Sequence, residues 1–231
     1  MQSKTVCIIP ARGGSKRIPK KNIKFFHGKP LIAYSIEVAI NSKLFNDIIV
    51  STDDKDIALV AKEYGASVQL RPKELSDDFT GTGDVVKYVL DTLTKDGKQY
   101  DYSCTIYATA PLLQEQYLSK GFKQLKNSDA KMSFSATSMP FPIQRTFKIN
   151  NNGRCNMFTP ENFNKRSQDL EEAYQDAGQF YWENTNKNFT DIPFGKDSIP
   201  IILPRYLVQD IDTIEDWERA EYMYEVVNKT K

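Results

Sequence analysis

Thr5-Val6-Cys7-Ile8-Ile9-Pro10 runs directly into Ala11-Arg12-Gly13-Gly14-Ser15-Lys16-Arg17-Ile18-Pro19-Lys20-Lys21-Asn22, and this join decides the fold. The first half is a short apolar run, the composition of a strand buried within a parallel sheet. The second half leaves the carboxyl end of that strand as a loop with paired glycines and the cations Arg12, Lys16, Arg17, Lys20 and Lys21. Open α/β sheets bind ligands outside the carboxyl ends of their strands. Gly13 and Gly14 give the backbone freedom closed to other residues and let its N–H groups approach phosphate oxygens. A polyphosphate is the expected ligand; the competing reading is a solvated basic loop with two turn glycines. The spacing fits neither G-x-G-x-x-G nor G-x-x-x-x-G-K-[ST], which argues against a dinucleotide enzyme or a P-loop ATPase.

The chain of 231 residues carries 31 basic and 30 acidic side chains, so no global field draws it to nucleic acid or membrane. The excess positive charge is local to the loop, which fits a small anionic ligand. Cys7, Cys104 and Cys155 are odd in number and widely spaced, and read as buried thiols in a reducing compartment. No apolar stretch approaches the ~18 residues of a membrane span and no signal-peptide core opens the chain, so a cytoplasmic protein is expected. His27 is the sole histidine, which removes histidine-dependent triads and multi-histidine zinc sites.

Outward from the first strand, strand-like and helix-like segments alternate. Strands are predicted over 5–10, 47–52, 66–70 and 102–108, with helices over 31–40, 57–64 and 85–93. Ile57, Val60, Ala61 and Tyr64 form a helical stripe behind Asp53 and Asp54, whose charge suits a helix start. This alternation predicts an α/β domain on a mostly parallel sheet. From about residue 140 to 175 the pattern breaks into prolines, scattered aromatics and the hairpin turn Asn151-Asn152-Gly153. An excursion of that length needs its own role, and a protruding arm that packs on a second subunit is expected. Strands at 179–182 and 199–203 follow, then a closing helix with Trp217, Ala220, Tyr224 and Val227 on its apolar face.

A second constellation lies before that helix. Gln209-Asp210-Ile211-Asp212-Thr213 puts two carboxylates two residues apart, on one face of an extended segment. Such like charges repel unless a cation sits between them, and Mg²⁺ (or Mn²⁺) suits one or two carboxylates plus phosphate oxygens. The alternative is that Asp212 or Thr213 caps the helix. With the basic loop, the pair points to a nucleoside triphosphate held by Arg12 and Lys16.

Three motifs in order resemble the CMP-sugar synthetases that activate nonulosonic acids. Ile9 to Lys16, followed by Asn22, is similar to that family's CTP loop; Leu70-Arg71-Pro72-Lys73-Glu74-Leu75-Ser76 to its second nucleotide motif; Gln209 to Thr213 to its metal motif. The resemblance implies a Rossmann-like nucleotide-diphospho-sugar transferase fold, one domain over 1–231 with a dimerisation arm inserted at about 140–175. It implies CTP contacts by Ala11, Arg12, Gly13, Gly14, Ser15, Lys16 and Asn22, with Arg71 and Thr82 near the base or ribose. Asp210 and Asp212 would hold the metal and, with Arg12 and Lys16, carry catalysis. Tyr107-Ala108-Thr109-Ala110-Pro111-Leu112-Leu113 and Gln175 to Trp182 depart from the sialic acid pattern. Both stretches look like the pseudaminic acid cytidylyltransferase branch. Tyr107, Thr109, Gln144, Arg166, Gln175, Gln179 and Tyr181 are the implied sugar-binding set. The implied reaction passes CMP from CTP to the sugar in a homodimer that serves flagellin glycosylation. The alternatives are a sialic or legionaminic acid cytidylyltransferase and, in another class, a non-catalytic nucleotide-binding regulatory protein.

Overall fold

A computed structural model describes residues 3–77 and 79–229. In chain order its strands and helices are β1 (Thr5–Pro10), β2 (Phe25–Phe26), β3 (Lys29–Pro30), α1 (Leu31–Ser42), β4 (Asp47–Thr52), α2 (Lys55–Glu63), β5 (Ser67–Leu70), α3 (Thr82–Lys95) and β6 (Tyr102–Ile106). Then come α4 (Glu115–Lys126), β7 (Met132–Ser138), β8 (Phe147–Ile149), β9 (Cys155–Met157), β10 (Tyr174–Asn184), β11 (Ser198–Ile202) and α5 (Ile214–Lys229).

The main sheet has the order β11-β7-β10-β6-β1-β4-β5. β1 pairs in parallel with β4, Ile9 opposite Val50, and with β6, Cys7 opposite Cys104. β10 alone runs against its neighbours β6 and β7, so the sheet is mostly parallel with one reversed strand. The apolar run of β1 is buried on both faces, as its composition requires. Cys7 and Ile9 join Ile32, Ile36, Ile57, Leu118, Phe180 and Trp182 on the side of α1, α2 and α4. Val6 and Ile8 meet Val86, Val89 and Leu93 of α3 on the other. Burying one such side chain stabilises the fold by about 1.5–3 kcal/mol, which makes β1 the anchor from which the loop projects.

From β1 the chain builds outward through β4 to β5, then returns to the other side of β1 as β6. Loops after β1 and β6 therefore diverge, opening a crevice between them where such sheets take ligands. The stripe of α2 forms as read, and its start is fixed by Asp54, whose carboxylate accepts from the N–H groups of Asp56 and Ile57 at 2.8 and 3.0 Å.

Residues 139–173 leave the sheet. β8 and β9 make a separate hairpin whose turn is closed by Asn150 Oδ1, which accepts from the N–H groups of Asn152 and Arg154. Phe141, Ile149, Phe158 and Phe163 on this excursion are between 63% and 79% exposed. Cys155 sits on the hairpin and is exposed, unlike Cys7 and Cys104. The expectation of three buried thiols thus fails at Cys155, because its strand belongs to a hairpin outside the core.

Candidate active site

The crevice between the β1 and β6 loops holds a cavity of about 420 Å³. Arg12, Ser15, Lys16 and Asn22 line it from the β1 loop, Arg71 and Thr82 from the ends of β5 and α3, Tyr107 and Thr109 from the β6 loop, and Asp210 and Asp212 from the segment before α5. Residues scattered over 200 positions converge because every one lies at or near a strand's carboxyl end or a helix start.

Within the loop the glycines differ in use. A Cβ on Gly13 would lie 2.6 Å from Asp54 Oδ2 and 2.9 Å from Asp54 Cβ, so the start of α2 leaves no room for one. The Gly13 N–H donates to Asp53 Oδ1 at 3.0 Å. Neither Gly13 nor Gly14 has positive φ, so Gly13 is required for close approach rather than for an unusual backbone conformation. Nothing lies within 4 Å of a Cβ on Gly14. Ala11 is buried, its N–H spent on Ser51 O at 2.9 Å, which makes it the pivot of the loop rather than part of the cavity wall. Asn22 is buried too, and its amide donates to Arg12 O at 3.0 Å, holding the loop's return to its departure.

Arg12 Nη1 donates to Asp77 O at 2.9 Å, which ties the loop to the segment after β5 across the crevice. Arg71 is 8% exposed, with Nη2 3.9 Å from Asp53 Oδ1, and its Nε has no hydrogen-bond partner among the described residues. Burial lowers the pKa of this guanidinium; Asp53 opposes that and Arg12 adds to it. A buried cation so poorly partnered is costly, and a bound base carbonyl or phosphate would satisfy it.

At the opposite wall the helix cap is made by Thr213. Its N–H and hydroxyl donate to Asp216 Oδ2, each at 2.8 Å, and the Asp216 N–H donates back to Thr213 Oγ1 at 3.2 Å, a reciprocal cap. Asp210 and Asp212 are thereby left for other work. Burial, then the charge of Asp212, raises the pKa of the Asp210 carboxyl even though it opens on the cleft. Arg17 Nη2 lies 2.9 Å from Asp212 Oδ2 and Lys21 Nζ 3.4 Å from Asp212 Oδ1. Lys20 pairs with Asp56 at 2.8 Å in the open. Lys21, by contrast, is drawn inward: its side chain is 17% exposed and also donates to Ile211 O. No group of three or more His, Cys, Asp or Glu suited to a metal occurs among the described residues. Two hard carboxylate oxygen donors beside a phosphate-sized, cationic cleft fit a divalent ion that draws its remaining ligands from a nucleotide and water.

Thr82 and Tyr107 also line a second, larger groove of about 1340 Å³, which continues under α3 and takes in Tyr181. The Thr82 and Tyr107 hydroxyls are 3.5 Å apart, and the rings of Tyr107 and Tyr181 are tilted at 5.3 Å. Phe180 and Trp182 are core, while Tyr181 faces this groove. Leu113 also belongs to the core. Gln179 does not reach either cavity: it is 2% exposed and its amide donates to Leu207 O, bracing β10 against the chain that leads to Asp210. Gln144, Arg166 and Gln175 also lie outside both cavities of their own chain. Gln144 Nε2 donates to Glu171 O at 2.9 Å, and Arg166 is forked onto Asp169 at 2.7 and 3.1 Å. Gln144 and Arg166 stand on the arm, outside the sheet, while Gln175 lies at the start of β10, opposite Thr137 of β7. Sequence reasoning named Arg17 and Lys21 only as loop cations, without their partner Asp212, took Asp53 for a helix start, and missed Asp77.

A family model described as Cytidylyltransferase matches residues 6–229. The pseudaminic acid cytidylyltransferase of Campylobacter jejuni is 46% identical over 226 residues, covering 96% of this chain and 97% of that protein. The CMP-N,N'-diacetyllegionaminic acid synthase of Legionella pneumophila is 32% identical over 237 residues, covering 96% of each. A solved CMP:2-keto-3-deoxy-manno-octonic acid synthetase complexed with CTP superposes with a TM-score of 0.67 at 15% identity, over 96% of this chain and 99% of that one. That last likeness establishes the fold. On the matched model and the near-complete overlap with these relatives, the chain belongs to the cytidylyltransferase family.

Proposed function

We propose that this protein transfers CMP from CTP to pseudaminic acid. The anomeric hydroxyl attacks the α-phosphorus; a new O–P bond forms, the bond to the bridging oxygen breaks, pyrophosphate departs and the hydroxyl proton is released. The observation that carries the reading is the meeting of Arg12, Lys16, Arg71, Asp210 and Asp212 in one cleft that opens, past Thr82 and Tyr107, into a second groove of acceptor size. The 46% identical relative named for this sugar supports the choice of acceptor.

In this reading Arg12 and Lys16 bind and orient the phosphates, and Arg71, with Thr82, receives the base or ribose. Ser15 and the Gly14 backbone complete the phosphate side. Asp210 and Asp212 hold Mg²⁺ (or Mn²⁺), which when bound neutralises phosphate charge. Alignment and charge screening are the main sources of rate in such an in-line displacement.

Tyr107, Thr109 and Tyr181 form the acceptor side within one chain. Gln144 and Arg166 contribute only if the arm reaches a second copy, Gln175 would do so from the start of β10, and the exposed apolar side chains of residues 141–163 support a homodimer built through the arm. Single-domain organisation over 1–231, a cytoplasmic location and a role in flagellin glycosylation complete the reading; among the described residues no helix is long and apolar enough to cross a membrane. A second reading, activation of legionaminic acid, rests on the 32% identical relative. Pyrophosphate release from CTP, measured separately with pseudaminic, legionaminic and N-acetylneuraminic acid, tests the choice. Fastest release with pseudaminic acid is expected, and release only with another sugar would replace it.

A further inference from the structure

Asp176 and Tyr181 lie five residues apart on β10, an odd separation that puts side chains on opposite faces of a regular strand. Here they meet. The pairing of β10 with β7 shifts register between them, from Asp176 opposite Ala136 to Tyr181 opposite Phe134, so five steps along β10 span two along β7. The slack is taken up near Gly178, whose φ of +62° favours glycine, and the irregularity re-aims the flanking side chains.

The result fixes both oxygens of one carboxylate. Asp176 Oδ1 accepts from the Gly178 N–H at 2.9 Å and closes the bulge. Asp176 Oδ2 accepts from the Tyr181 hydroxyl at 2.6 Å, taking the phenol's one proton. Burial, Tyr107 and Asp176 all raise the pKa of Tyr181, which keeps it a neutral phenol. Its oxygen therefore presents lone pairs, not a proton, with the Tyr107 hydroxyl also within its reach, beside the groove that both tyrosines line.

We propose that Asp176 is a positioning residue that holds the Tyr181 hydroxyl as a hydrogen-bond acceptor, and so selects a sugar that offers a donor at that point, an amide N–H or a hydroxyl. The inference rests on the reading of the protein as a sugar cytidylyltransferase. A site built to accept a hydrogen bond discriminates strongly against a group that cannot donate one.

Asp176→Asn is the informative change, because its oxygen keeps the Gly178 N–H while its amide becomes a donor to Tyr181 and turns the phenol's proton outward. The Michaelis constant for pseudaminic acid is expected to rise about tenfold, with that for CTP within about twofold and the melting temperature nearly unchanged. Tyr181→Phe, which leaves Asp176 and the bulge in place, is expected to raise the same constant, and the double variant to be no worse than Tyr181→Phe alone. An unchanged sugar constant in either single variant, or effects that multiply in the double variant, would overturn the proposal. Failure of the unaltered enzyme to form any CMP-sugar would instead overturn the reading beneath it.

Discussion

Lys21 and Asp212, 191 residues apart in the chain, meet at 3.4 Å in the cleft between the β1 and β6 loops. With Arg17, 2.9 Å from the same carboxylate, Lys21 joins the loop after β1 to the segment before α5. The loop after β1 and the carboxylate pair are therefore parts of one cleft, held in register by opposite charge.

Removing either carboxylate should separate chemistry from folding. Asp210→Ala and Asp212→Ala are each expected to lower pyrophosphate release by about 10²-fold or more, because charge on the transferring phosphoryl group goes unscreened. Neither carries the helix cap, which Thr213 and Asp216 supply. Circular dichroism should thus match the unaltered protein, and near-normal release from both variants would remove the metal assignment.

The two loop glycines are expected to respond oppositely. Gly13→Ala drives a methyl group against Asp54, 2.6 Å from its Oδ2, at the start of α2, and should cost about 1–3 kcal/mol with a matching loss of CTP affinity. Gly14→Ala meets nothing within 4 Å and should leave stability within about 0.5 kcal/mol. Thermal melts and nucleotide titrations of the two proteins check the contrast.

Thr213→Ala breaks a cap in which four atoms satisfy one another. A loss of about 1 kcal/mol is expected, a fall of roughly 2–4 °C in melting temperature for a chain of this size. Because the cap lies directly after Asp212, activity should fall as well, by less than in Asp212→Ala.

Much of this was legible in the sequence, for physical reasons that differ by residue. The apolar run 5–10 could only be a buried strand, and a glycine-rich basic loop at its end could only sit at the sheet's carboxyl edge. That Asp210 and Asp212 face one cleft together was readable because their spacing is local. Lys21 was not, since its partner is 191 residues away and a lysine in a basic run has no local sign of burial. Asp176 was hidden for another reason: strict alternation puts it on the face opposite Tyr181, and only the register shift against β7 brings the two together. Gln179 was misplaced by the same bulge, which turns it inward to Leu207.

Acid stability offers a check on the sheet itself. Asp47, at the start of β4, accepts from Tyr100 Oη at 2.6 Å and from Lys98 Nζ at 2.9 Å, and these, Tyr100 first, hold its carboxyl below the ordinary value of 3.8. A depressed native value means the unfolded chain binds the proton more readily. The contribution is complete above 3.8 and disappears as the pH falls through the native value. Asp47→Asn should therefore be less stable by about 1 kcal/mol at neutral pH, with the difference closing as the pH falls below 3.8 and through the native value. A gap that stays constant across that range would contradict the linkage.

The arm makes a prediction about assembly. Its exposed Phe147 and Phe158 are expected to lie against a second copy, so light scattering should give a dimer, and Phe147→Asp with Phe158→Asp should give a monomer that still binds CTP. A monomer from the unaltered protein would contradict the arm's role.

The central claim is that the nucleotide cleft and the groove beside it serve one transfer to one sugar. A single reaction with CTP and equal concentrations of pseudaminic, legionaminic and N-acetylneuraminic acid, its products separated by chromatography, tests it most directly. CMP-pseudaminic acid is the expected dominant product. Dominance of either other CMP-sugar, or the absence of all three while CTP still binds, would contradict it.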